Sequence, residues 1–294
     1  MATTVTPVSQ FVATASLAVR PQDGDDAFMD GGAAPLMPVL QNLFDRTEAA
    51  RDALINHLSW AEELSITGLS TNTNADFSLV VGAINEVLLY NGSTYVPKAY
   101  AGGTIGLSKV ESTPANLDNS TWYYLYAFNN AGSLDFQISK TVPNASLTAK
   151  SSSAQYRYLG CFVTNSSGAP VLFRMKRHRY IYRRSGITAP GILNVLATAT
   201  EVGWTDLSVA ALVPPHSCIV IIDANLNATG GSAYLDLRTK GDTGDVSLHL
   251  LSTTNDVHGS VEMETNSSRV IQYTLALGTG SDSYGQVWVM GFTE

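Results

Sequence analysis

Hydrophobic and polar positions change rhythm along this chain, and the rhythm divides it. Residues 1–33 carry scattered β-prone positions (Thr4, Thr6, Val8), then the turn-forming run Pro21-Gln-Asp-Gly-Asp-Asp26 and Gly31-Gly32. With no core of their own, they read as an extended arm that is ordered only by lying on something. From Pro35 to about Leu64 the spacing becomes helical. Leu36, Leu40, Leu43, Thr47, Ala50, Leu54 and Leu58 are separated by alternating fours and threes with a final four, which is one stripe of a helix. Pro35 or Pro38 suits its first turn, where a missing N–H costs nothing. Either this helix packs on its own domain, or it forms a short coiled-coil neck facing its own copies. The neck is preferred, because nothing adjacent in sequence offers a partner for so long a stripe; the small Thr47 and Ala50 weaken it. A polar run, Ser70-Thr-Asn-Thr-Asn74, then leads into Leu79, Val80, Ile84, Val87 and Leu88, spaced for a short helix capped by Asn74 or Asp76. Tyr90-Asn-Gly-Ser93 supplies an Asn-Gly turn.

Beyond Tyr95 the pattern is β to the end. Trp122–Phe128 runs through Asn129-Asn130-Ala-Gly132 into Leu134–Ile138, a hairpin signal, and Tyr156–Val163 and Val171–Met175 follow. A boundary is expected near Ser185-Gly186, with Pro190 and Gly191 just beyond. After it come candidate strands at 191–197, 218–226, 233–238, 246–251, 260–263, 270–277 and 286–291, separated by turn clusters such as Thr229-Gly230-Gly231 and Gly241-Asp-Thr-Gly244. Short strands at regular turn spacing indicate a β-sandwich or jelly roll. The expected fold is therefore mainly β: an extended arm (1–33), a helical neck and connector (34–94), and two β-sandwich or jelly-roll-like domains (95–185 and 186–294).

Composition narrows the function classes. The 294 residues are 45% hydrophobic but only 14% charged, with a net charge of -8. Ser, Thr, Asn and Gly fill the space left by charge, as in turn-rich β-structure with an uncharged polar surface. An acidic chain is a poor general nucleic-acid binder. No run of about 18 apolar residues is present, so no membrane insertion is expected. The first 20 residues lack a basic start followed by an apolar core, so no secretory signal is expected either. Cys161 and Cys218 are too few for a disulfide framework or a thiolate zinc site.

Candidate chemistry is sparse. His57, His178, His216, His249 and His258 make no metal-ligand spacing, although His249 and His258 could meet across a hairpin. Cys161 lies in an apolar alternation and reads as a small core residue. Asp242 and Asp245 could hold calcium with loop carbonyls, but both sit where turns place Asp anyway. Glu262 and Glu264 share a strand face and are the only carboxylate pair suggesting a depolymerase. No phosphate loop, nucleophile elbow or dinucleotide fingerprint occurs. No metal or cofactor is expected, and no enzyme.

One segment stands out. Arg174-Met-Lys-Arg-His-Arg-Tyr-Ile-Tyr-Arg-Arg184 holds Arg174, Lys176, Arg177, Arg179, Arg183 and Arg184, 6 of the chain's 17 Lys and Arg residues. As a single strand it would be charged on both faces, Arg174, Lys176, His178 and Tyr180 against Met175, Arg177, Arg179 and Ile181. That suggests an edge or a subunit interface facing acidic partners such as Asp23–Asp26. A plain solvated face comes next, and then contact with a polyanion, for which interleaved Arg and Tyr are suited.

Three segments resemble tail-fibre and related virion proteins of tailed bacteriophages. Ala34-Pro-Leu-Met-Pro-Val-Leu-Gln-Asn-Leu-Phe-Asp-Arg-Thr47 is similar to the helical segment that follows the attachment arm. Trp122–Ser133, continuing to Tyr158–Val163 and the basic strand, resembles a β-domain of phage structural proteins. Trp204–Leu207, Ala233–Arg238 and Val287–Phe292 are similar to their terminal β-sandwich domains. The resemblance carries no catalytic residues. It implies a homotrimeric virion protein made in the bacterial cytoplasm, a short fibre, spike, head fibre or adaptor. The arm would bind other virion proteins of the tail, baseplate, collar or capsid, and the C-terminal domain would point outward. The alternatives are a receptor-binding tip holding host surface glycan, with Trp204, Tyr234 and Tyr284 as contact aromatics, and a polysaccharide depolymerase.

Overall fold

A computed structural model describes residues 63–66, 77–112, 116–183, 193–216, 219–277 and 283–294, all within the unit formed by residues 55–294. The arm and the neck stripe from Leu36 to Leu58 lie outside these residues. Among the described residues the regular structure is strand apart from a 3-10 turn at Leu107–Lys109. The chain is mainly β, built from several antiparallel sheets.

The described part of the expected helical connector is a correction. It forms β1 (Glu63–Ile66), β2 (Leu79–Val81) and β3 (Ile84–Tyr90), which pairs with β4 (Tyr95–Tyr100). Phe77, Leu79 and Val81 are buried at every second position, the period of a strand. The helical look came from two interruptions. Gly82-Ala83 separates Val81 from Ile84, and the β3–β4 register shifts between Ile84 and Val87, so buried positions fall three apart without a helix. The Asn-Gly turn is present: the Asn91 side-chain oxygen accepts from the Ser93 and Thr94 N–H groups, and Gly92 has φ +103°.

β5 (Gly103–Ile105) pairs with β2, and β6 (Trp122–Asn130), β7 (Ser133–Ser139), β8 (Ala149–Lys150) and β9 (Ser153–Val163) form a sheet in the order β7-β6-β9-β8. Residues 123–127 of β6 are all buried, as are 157–163 of β9. A strand buried on both faces loses the alternation of a half-exposed one. On one side the β3–β4 hairpin covers this sheet, where Arg157 Nε donates to the Leu88 carbonyl at 3.0 Å. On the other lie β1 and the hairpin of β10 (Phe173–Lys176) and β11 (Arg179–Tyr182). Gly160 makes that approach possible, since a Cβ there would stand 2.5 Å from Leu64 Cδ1 and 2.6 Å from the Tyr180 hydroxyl.

The last eight strands are β12 (Asn194–Thr198), β13 (Val202–Ser208), β14 (Ile219–Asn227), β15 (Ala233–Thr239), β16 (Leu248–Ser252), β17 (Asp256–Glu264), β18 (Val270–Ala276) and β19 (Tyr284–Thr293). Their pairings give two four-stranded groups, β12-β19-β14-β17 and β13-β18-β15-β16. The two inner faces meet through Leu226, Leu235, Leu275, Val287 and Val289, all buried. Gly285 lets Leu275 approach to 3.1 Å of where a Cβ would be.

The expected boundary near Ser185-Gly186 lies outside the described residues, and strands from before and after it share one sheet. Strand β19 pairs with β12 along Gly285–Trp288 and with β11 along Gly291–Thr293, so one sheet runs β17-β14-β19-β11-β10-β1-β2-β5. A bulge at Met290 shifts the β14–β19 register there. Gly291 is required beside it, because a Cβ would lie 1.9 Å from the Tyr180 carbonyl oxygen. The junction is sealed by Phe292, stacked on Tyr180 at 4.3 Å and 13° and edge-on to Trp122.

Candidate functional site

The basic segment is not one strand but a hairpin, which corrects the expectation of charge on both faces. Lys176 pairs with Arg179, leaving Arg177 and His178 as a two-residue turn with φ of +50° and +60°. Positive φ at both central residues is the type I′ arrangement, usually filled by Asn and Gly. The two turn residues reset the alternation. Phe173, Met175, Tyr180 and Tyr182 are buried, whereas Arg174, Lys176, Arg179, Ile181 and Arg183 all face outward. With Glu63 and Ser65 of β1 they line an open groove of about 510 Å³. Arg177 is exposed at the tip of the turn, and Arg184 lies outside the described residues.

Two of these cations are engaged within the chain. Arg174 Nε donates to Glu63 Oε1 at 2.9 Å, and Arg179 reaches across β19 and β14 to pair with Glu262 on β17. Both pairs are exposed, and pairs of that kind contribute about 0–1 kcal/mol. Lys176 and Arg183 have no ion-pair partner among the described residues. Glu262 is thus an ion-pair partner of Arg179, and Glu264 stands two residues further along the same strand.

Behind the groove the same hairpin holds a buried carboxylate. The Glu294 side chain has no exposure and follows directly on β19. Its Oε1 accepts from the Tyr158 hydroxyl at 2.6 Å, the Cys161 thiol at 3.2 Å and His216 Nε2 at 2.9 Å. Its Oε2 accepts from the Tyr180 hydroxyl at 3.1 Å and faces His178 Nδ1 at 3.3 Å. Burial pushes this carboxyl up, but the hydrogen bonds and charge of His178 and His216 outweigh it, and the group sits at about 2. An ionised carboxylate only accepts, so the facing nitrogens of both imidazoles carry hydrogen. Burial, reinforced by the Glu294 charge, pushes the Tyr158 and Tyr180 hydroxyls and the Cys161 thiol up. Cys161 is accordingly an inert thiol.

The sequence reading named His178, His216 and Cys161 but not their meeting. No local signal could have shown it, since the partners come from β9, the hairpin turn, the segment before β14 and the residue after β19. Nor do His249 and His258 meet: His249 pairs with Asp236 on β15, whereas His258 lies opposite Asn225 on β14. Asp242 accepts from the Gly244 and Asp245 N–H groups, the ordinary role of Asp in a turn. Among the described residues no group of three or more His, Cys, Asp or Glu side chains is arranged to hold a metal ion.

The candidate glycan aromatics fall on two different sheets. Trp204 on β13 and Tyr234 on β15 belong to the β13-β18-β15-β16 sheet, each more than a third exposed at 37% and 38%. The Arg238 guanidinium lies 3.8 Å from the Trp204 ring centre, held by its bond to Gln272, which in turn donates to Asp206. The His249 ring is 6.4 Å from that of Tyr234, and Leu251, opposite Tyr234, is 55% exposed. Tyr284 instead begins β19 opposite Asn227 and is half-buried.

No family model matches the chain, and no curated protein is significantly similar to it. No described helix is long and apolar enough to cross a membrane.

Proposed function

We propose that this protein is a non-enzymatic structural component of a phage or phage-like particle. It would be a homotrimeric short fibre, spike, head fibre or adaptor, anchored by its N-terminal arm to other virion proteins. The observation that carries this reading is the strand order of residues 194–293, β12-β19-β14-β17 over β13-β18-β15-β16. We read that order as a jelly roll, an architecture of capsid and lectin domains whose two sheets pair the backbone of all but the edge strands. The continuous sheet through β19 and β11 adds support, because it couples this domain rigidly to the preceding layers. Light scattering tests the reading. The full chain is expected at three times its 31.3 kDa mass, and a chain lacking residues 1–60, which keeps β1 intact, is expected to be a weaker trimer. A monomer in both forms overturns it.

A second reading is a receptor-binding tip that holds host surface glycan. The Trp204–Arg238 stack favours it, since it presents an exposed ring held in place by a polar network. Saturable binding to purified envelope glycan, lost on Trp204→Ala, distinguishes it from a purely assembling domain.

A further inference from the structure

We propose that the groove on the outer face of β1, β10 and β11 is a binding site for an anionic polysaccharide whose sugars carry carboxylates. The proposal does not rest on the particle assignment. The groove's volume of about 510 Å³ is in the range of ligand sites. Arg174, Lys176, Arg179 and Arg183 line it against the single carboxylate of Glu63. Lys176 and Arg179 are direct cross-strand partners, an opposition of like charges that destabilises a hairpin and that a bound anion would relieve. The carboxylates already paired with Arg174 and Arg179 are exposed side chains, so either arginine can exchange its partner for a ligand.

The chemistry of the lining selects the class. A guanidinium fork matches a carboxylate with two parallel hydrogen bonds. Arg174 and Lys176 stand two residues apart on β10, about 6.8 Å along the strand, and Arg179 and Arg183 stand four residues apart, about twice that. The cations are thus spread over a length that suits a polymer with repeated acids better than one small anion. Ile181, 38% exposed, stands opposite Arg174 and between Arg179 and Arg183. It offers an aliphatic contact for the C–H face of a sugar ring amid the charges. Nucleic acid fits less well. Base stacking needs aromatic faces, and the tyrosines of this segment, Tyr180 and Tyr182, point into the core.

The test is calorimetric titration of the full-length protein with oligogalacturonate of defined length. Neutral dextran, dextran sulfate and a single-stranded oligonucleotide serve as comparisons. Saturable oligogalacturonate binding is expected, weakening as salt rises. The double variant Lys176→Glu/Arg183→Glu is expected to lower affinity at least tenfold, and Trp204→Ala to leave it unchanged. Should charge reversal prevent folding, the milder Lys176→Gln/Arg183→Gln pair, checked by circular dichroism, decides with the same expected direction. The proposal is overturned by absence of saturable oligogalacturonate binding, by unchanged affinity in the folded Gln pair, by loss of binding in Trp204→Ala, or by binding confined to dextran sulfate or the oligonucleotide.

Discussion

Glu294 grips His178 at two points: its backbone N–H donates to the His178 carbonyl at 3.1 Å, and its carboxylate lies 3.3 Å from His178 Nδ1. The end of β19 is thereby fastened to the turn of the β10–β11 hairpin. The same carboxylate takes hydrogen bonds from β9 and from the segment before β14, so one buried charge ties four parts of the chain.

Replacing that charge has a defined cost. Glu294→Gln keeps the volume but turns half of the acceptor group into a donor facing other donors. A loss of about 3–5 kcal/mol at neutral pH is expected, read from urea unfolding. The pH dependence follows from the depressed carboxyl. Its folded value of about 2 lies below the ordinary 4.5, so the unfolded chain takes up the proton first as pH falls. The stabilisation is complete above about pH 4.5, declines through the window below it and is gone beneath about 2, a change on the order of 3 kcal/mol. Stability curves of wild type and Glu294→Gln should converge over that window. Parallel curves would sink the assignment.

The hairpin turn separates local preference from tertiary contact. Arg177 and His178 both occupy the left-handed region, which costs non-glycine residues free energy. Arg177 is exposed, and Arg177→Asn should raise stability by about 0.5 kcal/mol because Asn suits that conformation. His178→Gly suits the backbone even better, yet it removes a partner of buried Glu294. It should lower stability by about 2 kcal/mol or more. Opposite shifts in the urea midpoint are the expected result.

This turn also shows where the sequence stops being legible. The strands around Trp122–Phe128, Leu134–Ile138, Tyr156–Val163 and those from 219 onward could be read because β-branched and aromatic runs end at Gly, Asn or Pro. Arg177-His178 carries no such punctuation. Two turn residues in place of two strand residues invert the face of everything after them, and the one-sided basic groove was lost with the turn. Residues 79–88 failed for the converse reason, since a bulge imitates helical spacing. β13 escaped notice because its residues are mostly exposed, with a register shift between Val202 and Thr205. The Glu294 cluster depends on pairings over 78 to 136 residues, which no window along the chain contains.

Gly291 is where the two β-regions join, and its missing side chain is a steric requirement. In Gly291→Ala the new Cβ would meet the Tyr180 carbonyl oxygen at 1.9 Å, a backbone atom that moves only with β11. The β11–β19 pairing must open, and the Phe292–Tyr180 stack goes with it. A loss of more than about 3 kcal/mol is expected. Gly132→Ala, with nothing within 4 Å of its Cβ, should cost only the strain of its positive φ, about 1–2 kcal/mol. Paired thermal melts check the order.

Cys161 is 1% exposed and shares its Glu294 contact with Tyr158. With its thiol pushed up by burial and by that negative charge, the thiolate fraction at pH 8 is small. Iodoacetamide should leave Cys161 unmodified in the folded protein and label it fully in urea, with the site identified by peptide mass. Rapid labelling under native conditions would mean that the cluster opens readily, and the large cost expected for Glu294→Gln would then be wrong.

Trp204 distinguishes a ligand-contacting surface from a merely solvated one. Its ring is partly exposed and its main fixed partner is the Arg238 guanidinium, an interaction of about 0.5–1 kcal/mol at such a site. Arg238 keeps its bond to Gln272 when the ring is removed, so Trp204→Ala should lower stability by no more than about 1 kcal/mol. If the β13-β18-β15-β16 sheet is the receptor face, the same change should weaken binding to envelope glycan at least tenfold, because a stacking platform acts only while its ring is present. Unchanged stability with unchanged glycan binding would leave this sheet a role in packing against its neighbouring sheet, and would move recognition to the groove lined by β1, β10 and β11.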